Sequence, residues 1–487
     1  MTIPSRTSRL RRDISNCGNF IDFIIPHTIG LGPNWRFPMR NRTILATPLM
    51  LLLVGCSLFK SKPPAPPPHP FQMGATATLG ITTGIPVIAS TELPRGFVPN
   101  AAVPPMWLAE DLGIAIAGSL NGRGAVLGLS GTKLSKLRVI ARDRPSDASP
   151  AIIQAVASSP DGMELALAVA EPASNRLNLV LIDSIGNGES HSVASFDGAY
   201  DVVSMNWIDR DTLAFLIYPS APPAQIAANV DTIGAQSAGL YVIGITGLGS
   251  ITHLDRIPCR LGPLSLSPNR RFAASAGEGG AAPAAVVDLQ NQTCAQIHSA
   301  APVKLLGWAP DSSAFLYAAA NDRGNMSTAR YTVAIRRSTL VAVSSTSVAY
   351  ASDGTIVAMG DAALSWKRIA QAPTAPVKAE IALVNPQTAQ ITINSLGFQT
   401  PPAMFAQSTM VFTTASDSAA IDTFVPTSQG LVRELIDYSY PARSAFVLAS
   451  GPARGPLSMS WSPNGLALAI VDGDASRAML TVMIPPR

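Results

Sequence analysis

The sequence predicts an all-β protein, a β-propeller of seven or eight four-stranded blades behind an export segment and a Pro-rich linker. Three observations predict it. Short Ala- and Val-rich apolar runs, each bounded by turn residues, fill the chain from about residue 100 onward. A Ser-Pro-Asp/Asn-Gly turn between two such runs recurs along it. Almost no segment sustains a 3.6-residue period, which argues against a bundle or a helical solenoid. Composition agrees, with 47% of the 487 residues hydrophobic, 14% charged and a net charge of +4. Bulk disorder needs fewer apolar residues, and a polytopic membrane protein needs unbroken apolar runs of about 18. A nucleic-acid binder would show a clustered basic excess.

The elements follow in chain order. Residues 1–38 carry five arginines and little apolar periodicity. They are too few to hold a core, and Met39 offers an internal start, so they read as an over-extended N-terminus or a very long basic leader. Residues 39–55 read as a signal peptide. Basic Met39-Arg40-Asn41-Arg42 precedes a short apolar core that ends in small residues. A spanning helix needs about 20 apolar residues, and Pro48 interrupts this one. The last four residues, Leu53-Val54-Gly55-Cys56, resemble the bacterial lipobox in type and placement. That resemblance implies that Cys56 is lipidated and becomes the first residue of the mature protein. Ser57 after it implies sorting to the outer membrane, at its periplasmic or surface face. Residues 56–75 then form a tether whose Pro63-Pro64-Ala65-Pro66-Pro67-Pro68 stretch favours extended polyproline II at about 3 Å per residue. A docking site for a Pro-binding groove is the alternative.

Residues 76–487 carry the repeat. Its clearest copies are Ser159-Pro160-Asp161-Gly162, Ser267-Pro268-Asn269, Ala309-Pro310-Asp311 and Ser462-Pro463-Asn464-Gly465, each between two apolar runs. Pro presets φ for the first turn position, and Asp, Asn and Gly tolerate the geometry after it. Looser copies follow Trp107, Trp207, Tyr350 and Phe405. Anchors at Ala109, Pro160, Ile208, Pro268, Pro310, Ser352, Gln407 and Pro463 are spaced about 51 residues apart, near the period of propeller blades. Eight blades are counted, seven being the alternative. The last unit lacks a strand, which residues 78–89 are expected to supply, closing the ring and removing its open edge. The Ser-Pro-Asp-Gly unit with its following Leu-Ala resembles the WD40-like repeat of TolB-type β-propellers, over about residues 100–487. What the resemblance implies is a binding body of the cell envelope.

Chemistry-bearing residues are sparse. Of four cysteines, Cys17 falls in the leader and Cys56 takes the lipid, leaving Cys259 and Cys294 as a disulfide or as two buried thiols. The histidines His27, His69, His191, His253 and His298 show no zinc spacing. Gly128-Leu129-Ser130-Gly131 lacks the spacing of a nucleophile elbow and reads as a hairpin turn. Gly244, Gly247 and Gly249 precede no helix that could cradle a phosphate. Asp209 with Asp211, and Asp472 with Asp474, read as solvated turn carboxylates rather than calcium ligands. Trp107, Trp207, Trp308 and Trp461 recur just before the turn and read as packing between blades rather than a ligand cage. Arg336-Arg337 reads as a surface hairpin.

No cofactor, metal or catalytic constellation is expected. The functional reading is a membrane-anchored envelope lipoprotein, not an enzyme, whose propeller is a scaffold for protein partners. The alternative is a small ligand, a glycan or a reaction in the central channel. Residues 1–55 hold seven of the 35 basic and two of the 31 acidic residues, which leaves a net charge of −1 from Cys56 on. Attraction to nucleic acid or anionic lipid thereby loses its electrostatic support.

Overall fold

The computed structural model describes residues 72–486 apart from the segments 131–135, 144–150, 185–189, 221–238, 321–325, 342–346 and 361–375 and several shorter stretches. Cys17, His27, Cys56, Ser57, His69 and His298 lie outside the described residues. Eight antiparallel sheets stand in a ring, and the chain is a β-propeller of eight blades. Blade 1 runs from Phe97–Pro99 to Lys136–Arg142, blade 2 from Ile152–Ser158 to Ser190–Asp197, and blade 3 from Tyr200–Trp207 to Ile251–His253. Blade 4 spans Leu264–Leu266 to Thr293–Ile297, blade 5 Val303–Trp308 to Arg337–Leu340, and blade 6 Ser347–Tyr350 to Gln390–Thr400. Blade 7 spans Thr409–Thr413 to Ser444–Gly451, and blade 8 begins at Leu457–Trp461. The described helix Pro402–Phe405 is a single turn, and no described helix is long and apolar enough to cross a membrane.

Strand alternation explains why the ring packs. In Thr212–Pro219, Leu213, Phe215 and Ile217 face the core shared with blade 2, while Ala214 and Leu216 face the core shared with blade 4. Both faces of a blade are covered, so its second strand reads as a continuous apolar run. The core is accordingly divided. Among the described residues, eight apolar layers each fill one junction between consecutive blades. The low charged fraction follows from this design, since half-exposed sheet faces are scarce.

Ring closure differs in detail from the expectation. Val87–Glu92 pairs antiparallel with Ala478–Ile484 and gives blade 8 its fourth strand. The residues before it do not belong to blade 8. Ile81–Thr83 runs parallel to Ser444–Gly451 at the outer edge of blade 7, and Gln72–Thr78 runs parallel to Gln390–Thr400 at the outer edge of blade 6. The N-terminal residues therefore form a strap across the outside of blades 6, 7 and 8 before entering blade 1. Its first strand starts at Gln72, so the final residues of the expected 56–75 tether belong to the ring.

Candidate functional site

In blades 2, 4, 5, 6 and 8 the innermost strand turns into the second through the recurring motif, and the turn explains the motif's residues. In blade 2 the Asp161 Oδ1 accepts the Met163 N–H (3.1 Å) and the Ser159 hydroxyl (2.7 Å). The Ser159 Oγ in turn accepts the Glu164 N–H at 3.0 Å, so one hydroxyl and one carboxylate satisfy the turn's donors. Blades 4 and 8 repeat this bonding with Ser267 and Asn269, and with Ser462 and Asn464. Burial draws the Asp161 carboxyl upward, but the hydrogen bonds from Ser159 and the Met163 amide outweigh it and hold it below the usual carboxylate range. The Ser313 amide does the same for Asp311. Asp209 accepts the Asp211 N–H at 2.8 Å, and Asp474 accepts the Ser476 N–H. Asp209 and Asp474 are thus turn-forming groups, and among the described residues no cluster of three His, Cys, Asp or Glu is placed to hold a metal.

Turns also bind one another. The Gly162 carbonyl accepts the Ala109 N–H of blade 1 at 3.0 Å, and Gly162 has φ +67°. A Cβ on it would lie 2.2 Å from the Ala109 nitrogen, so only glycine fits that junction. The tryptophans form a second set of links. The Nε1 of Trp107, Trp207, Trp308 and Trp461 donates to the carbonyls of Ser460, Ala157, Ser265 and Val411, at 3.3, 3.2, 2.9 and 3.0 Å. Each acceptor lies on the innermost strand of the preceding blade. These rings are inter-blade packing, and a ligand cage is not what they build.

Two recesses lie against the innermost strands, one between blades 4 and 5 beside Lys304 and one against blades 2, 3 and 4 that is the more polar in its lining. The latter is about 420 Å³ in volume. Ser158, Asn206 and Ser265 supply its neutral polar groups, Met205 and Leu264 its apolar wall, and Arg270 its only charge. The Asn206 amide donates to Ser204 Oγ at 2.7 Å, and the Ser158 hydroxyl donates to the Trp107 carbonyl at 3.3 Å. Arg270 Nη1 donates to the Trp207 carbonyl at 3.4 Å, which lays its guanidinium over the neighbouring blade. Sequence reasoning passed over Arg270. The signal was present: aligned on the turn, Arg270 stands where blades 2, 6 and 8 have Gly162, Gly354 and Gly465.

The remaining expected positions fall elsewhere. Cys259 and Cys294 lie together at the outside of blade 4, with Cα atoms 6.2 Å apart, within the range of a disulfide. His253 stacks on Tyr241, with ring centroids 4.6 Å apart, and His191 sits on the outer strand of blade 2. Gly128 and Ser130 belong to the strand Arg123–Ser130, so the expected hairpin turn there is instead a strand. The antiparallel ladder with Gly113–Leu120, which sets Gly113 opposite Ser130 and Ala115 opposite Gly128, keeps that segment extended. Gly247 and Gly249 lie outside the described residues. Arg336, at φ +50°, does form the hairpin before Arg337–Leu340.

No protein-family model matches the chain, and no curated sequence matches it. Solved structures do. A prolyl endopeptidase is 12% identical with a TM-score of 0.44, over 80% of this chain and 54% of that one. The chain thus spans about half the length of that enzyme. A β-propeller domain from Myceliophteria thermophila is 11% identical with a TM-score of 0.40, over 80% of this chain and 98% of that one. A chain of a mitotic checkpoint complex is 12% identical with a TM-score of 0.38, over 80% and 92%. These likenesses are ones of fold.

Proposed function

We propose that this chain is an exported, lipid-anchored β-propeller that holds a protein partner at the bacterial cell envelope and acts by binding rather than catalysis. One observation carries the reading. The strap that follows the lipobox and the Pro-rich stretch is built into blades 6, 7 and 8, so a tether at Cys56 is a tether on the ring itself. The resemblance of the repeats to TolB-type propellers supports an envelope setting. The proximity of Cys259 and Cys294 supports it further, because a disulfide persists in an oxidising compartment.

Two experiments test the two halves. With Cys56→Ser in the full chain, labelled palmitate should no longer be incorporated and the protein should move to the soluble fraction. Unchanged membrane association refutes the anchor. For the partner, a photo-crosslinking residue at Met163 or Leu466, both exposed beside the turns, should give one reproducible adduct in living cells. The absence of any adduct at both positions refutes the scaffold reading. A second reading, a ligand in the channel, is favoured by the recess beside Arg270.

A further inference from the structure

The repeat provides its own control for Arg270. In blades 2, 4, 5, 6 and 8 the turn after the innermost strand places its fourth residue in the left-handed region, and Gly162, Gly354 and Gly465 take that place at φ +67°, +83° and +69°. Blade 5 uses Ser312 at φ +62°, and the Ser312 hydroxyl has a packing task, since it accepts the Asn269 N–H at 3.0 Å. Blade 4 places Arg270 there at φ +59°. A long side chain at such a position is strained by about 1 kcal/mol or more relative to glycine, and Arg270 joins no apolar layer that would offset it. Among the described residues no carboxylate pairs with it. Carboxylates of blades 2 to 4 are engaged elsewhere: Asp161 meets Arg210 at 3.1 Å, Asp288 meets Arg271 at 3.0 Å, and Asp209 accepts its own turn's amide.

We infer that Arg270 is the anchor of a binding site for a carboxylate-bearing ligand in the recess of blades 2, 3 and 4. A guanidinium takes a carboxylate through two parallel hydrogen bonds. Ser158, Asn206 and Ser265 offer neutral hydrogen bonding behind it, and Met205 and Leu264 an apolar floor. The volume of about 420 Å³ accommodates a short acid or the last few residues of a peptide. A glycan fits less well, because sugar rings stack on exposed aromatic faces and the Trp207 ring is 5% exposed.

The test uses Arg270→Gly, the residue that three other blades carry, so the turn is preserved. Titration calorimetry of the full chain is run with succinate, with tri-alanine as the free acid, and with tri-alanine amide. The expected result is saturable binding of at least one free carboxylate, no binding of the amide, and a loss of about tenfold or more in affinity with Arg270→Gly. The variant's Tm should be equal or higher, which separates lost binding from lost folding. Binding of the tripeptide acid alone identifies a peptide terminus as the source, and equal binding of succinate identifies a free acid. Either supports the site. No saturation by either carboxylate at 10-millimolar probe, on the order of the weakest useful affinity, overturns it. So does undiminished binding by Arg270→Gly, or equal binding of the amide.

Discussion

Blades 6 to 8 and blades 1 to 5 solve the same edge problem differently. An open outer strand presents unpaired amides that invite pairing with another chain. In blades 6 and 7 that strand is eleven and eight residues long, Gln390–Thr400 and Ser444–Gly451, and the strap pairs with both. In blades 3, 4 and 5 it is only three to five residues long, Ile251–His253, Thr293–Ile297 and Arg337–Leu340. Blade 1 keeps a longer edge but lines it with Arg138 and Arg142, and blade 2 ends in a polar strand beginning Ser190-His191-Ser192. The difference teaches that the N-terminal strap is committed to the edges of blades 6 and 7 and to completing blade 8, while among the described residues the edges of blades 1 to 5 stand open and are short, charged or polar.

Removing the strap breaks the contrast with the largest effect. Deletion of 72–92 takes the fourth strand from blade 8 as well as the covers of blades 6 and 7. The loss should exceed the roughly 5–15 kcal/mol that holds an ordinary domain folded, leaving insoluble protein with no cooperative melt. Deletion of 72–83 alone keeps the ring closed. That variant should stay folded but self-associate, seen as a concentration-dependent shift in size-exclusion chromatography. A monomer at every concentration would show that these edges need no cover.

The covered half also holds its charges differently. Arg433 and Asp422 pair inside blade 7, with the Asp422 side chain 3% exposed and the Arg433 Nε donating at 2.6 Å. Arg176 and Asp197 in blade 2 pair at 2.8 Å with both side chains more than half exposed. Arg433→Met should cost about 3–5 kcal/mol because it strands a buried carboxylate, and Arg176→Met about 0–1 kcal/mol. Chemical denaturation measures both. Blade 4 has a device that blade 7 lacks. Cys294 sits on its short outer strand and Cys259 lies before its first, so reduction should destabilise the ring by about 3 kcal/mol. An unchanged midpoint in reductant would show that the two thiols are not bonded.

Alkali should strike the covered half first. Burial pushes the Tyr350 phenol of blade 6 and the Tyr438 phenol of blade 7 up to about 12. In the unfolded chain tyrosine ionises near 10. Between those values the folded state keeps protons that the unfolded state has lost, so stability falls as pH rises from about 10 to about 12. Below pH 10 the contribution is fully present. Each residue accounts for on the order of 2 kcal/mol over that window. Tyr438→Phe should flatten its share, at the cost near neutrality of the bond from the Asn394 amide, now 2.9 Å long. An alkaline slope that is identical in wild type and Tyr438→Phe would overturn this assignment.

The sequence made the ring legible because a turn needs specific residues. Pro160, Asp161 and Gly162 announce a left-handed corner, and four clear copies of that corner between apolar runs leave few folds; the looser copy at Phe405 was misplaced, since it precedes blade 7's first strand, Thr409–Thr413. The sequence announced ring closure too, since an unpaired last strand demands a partner. The path of 72–83 was not legible. A parallel strand laid on a distant edge has no turn to mark it, and its apolar residues resemble those of any strand. Arg270 was hidden for another reason: an arginine carries no periodic signal, and only comparison with the glycines of the other turns exposes it as costly. Cys259 and Cys294 were visible as a pair, while their meeting depends on a fold that brings together residues 35 positions apart in the chain.

An effect of about one hydrogen bond tests whether the turn chemistry itself is uniform around the ring. Blades 2, 4 and 8 place a serine before the turn proline, whereas blades 5 and 6 have Ala309 and Ala351 at the equivalent place. Ala309 still closes its turn through the Ala314 carbonyl, which accepts the Ala309 N–H at 2.8 Å. Ala351 does likewise with Thr355 at 2.8 Å. The backbone bond therefore suffices, and the serine hydroxyl adds to it. Ser267→Ala in blade 4 removes the bond to Asn269 and the acceptor for the Phe272 N–H. The fully buried position leaves that amide without water to replace the hydroxyl, so the cost should be about 1–2 kcal/mol. Ala309→Ser in blade 5 should recover part of that amount, because Asp311 and the strand behind it are already placed to receive the hydroxyl. Measured by denaturation, a neutral Ser267→Ala would mean that the motif is kept by its proline and asparagine alone, and that the serine and alanine blades share one turn rather than two grades of it.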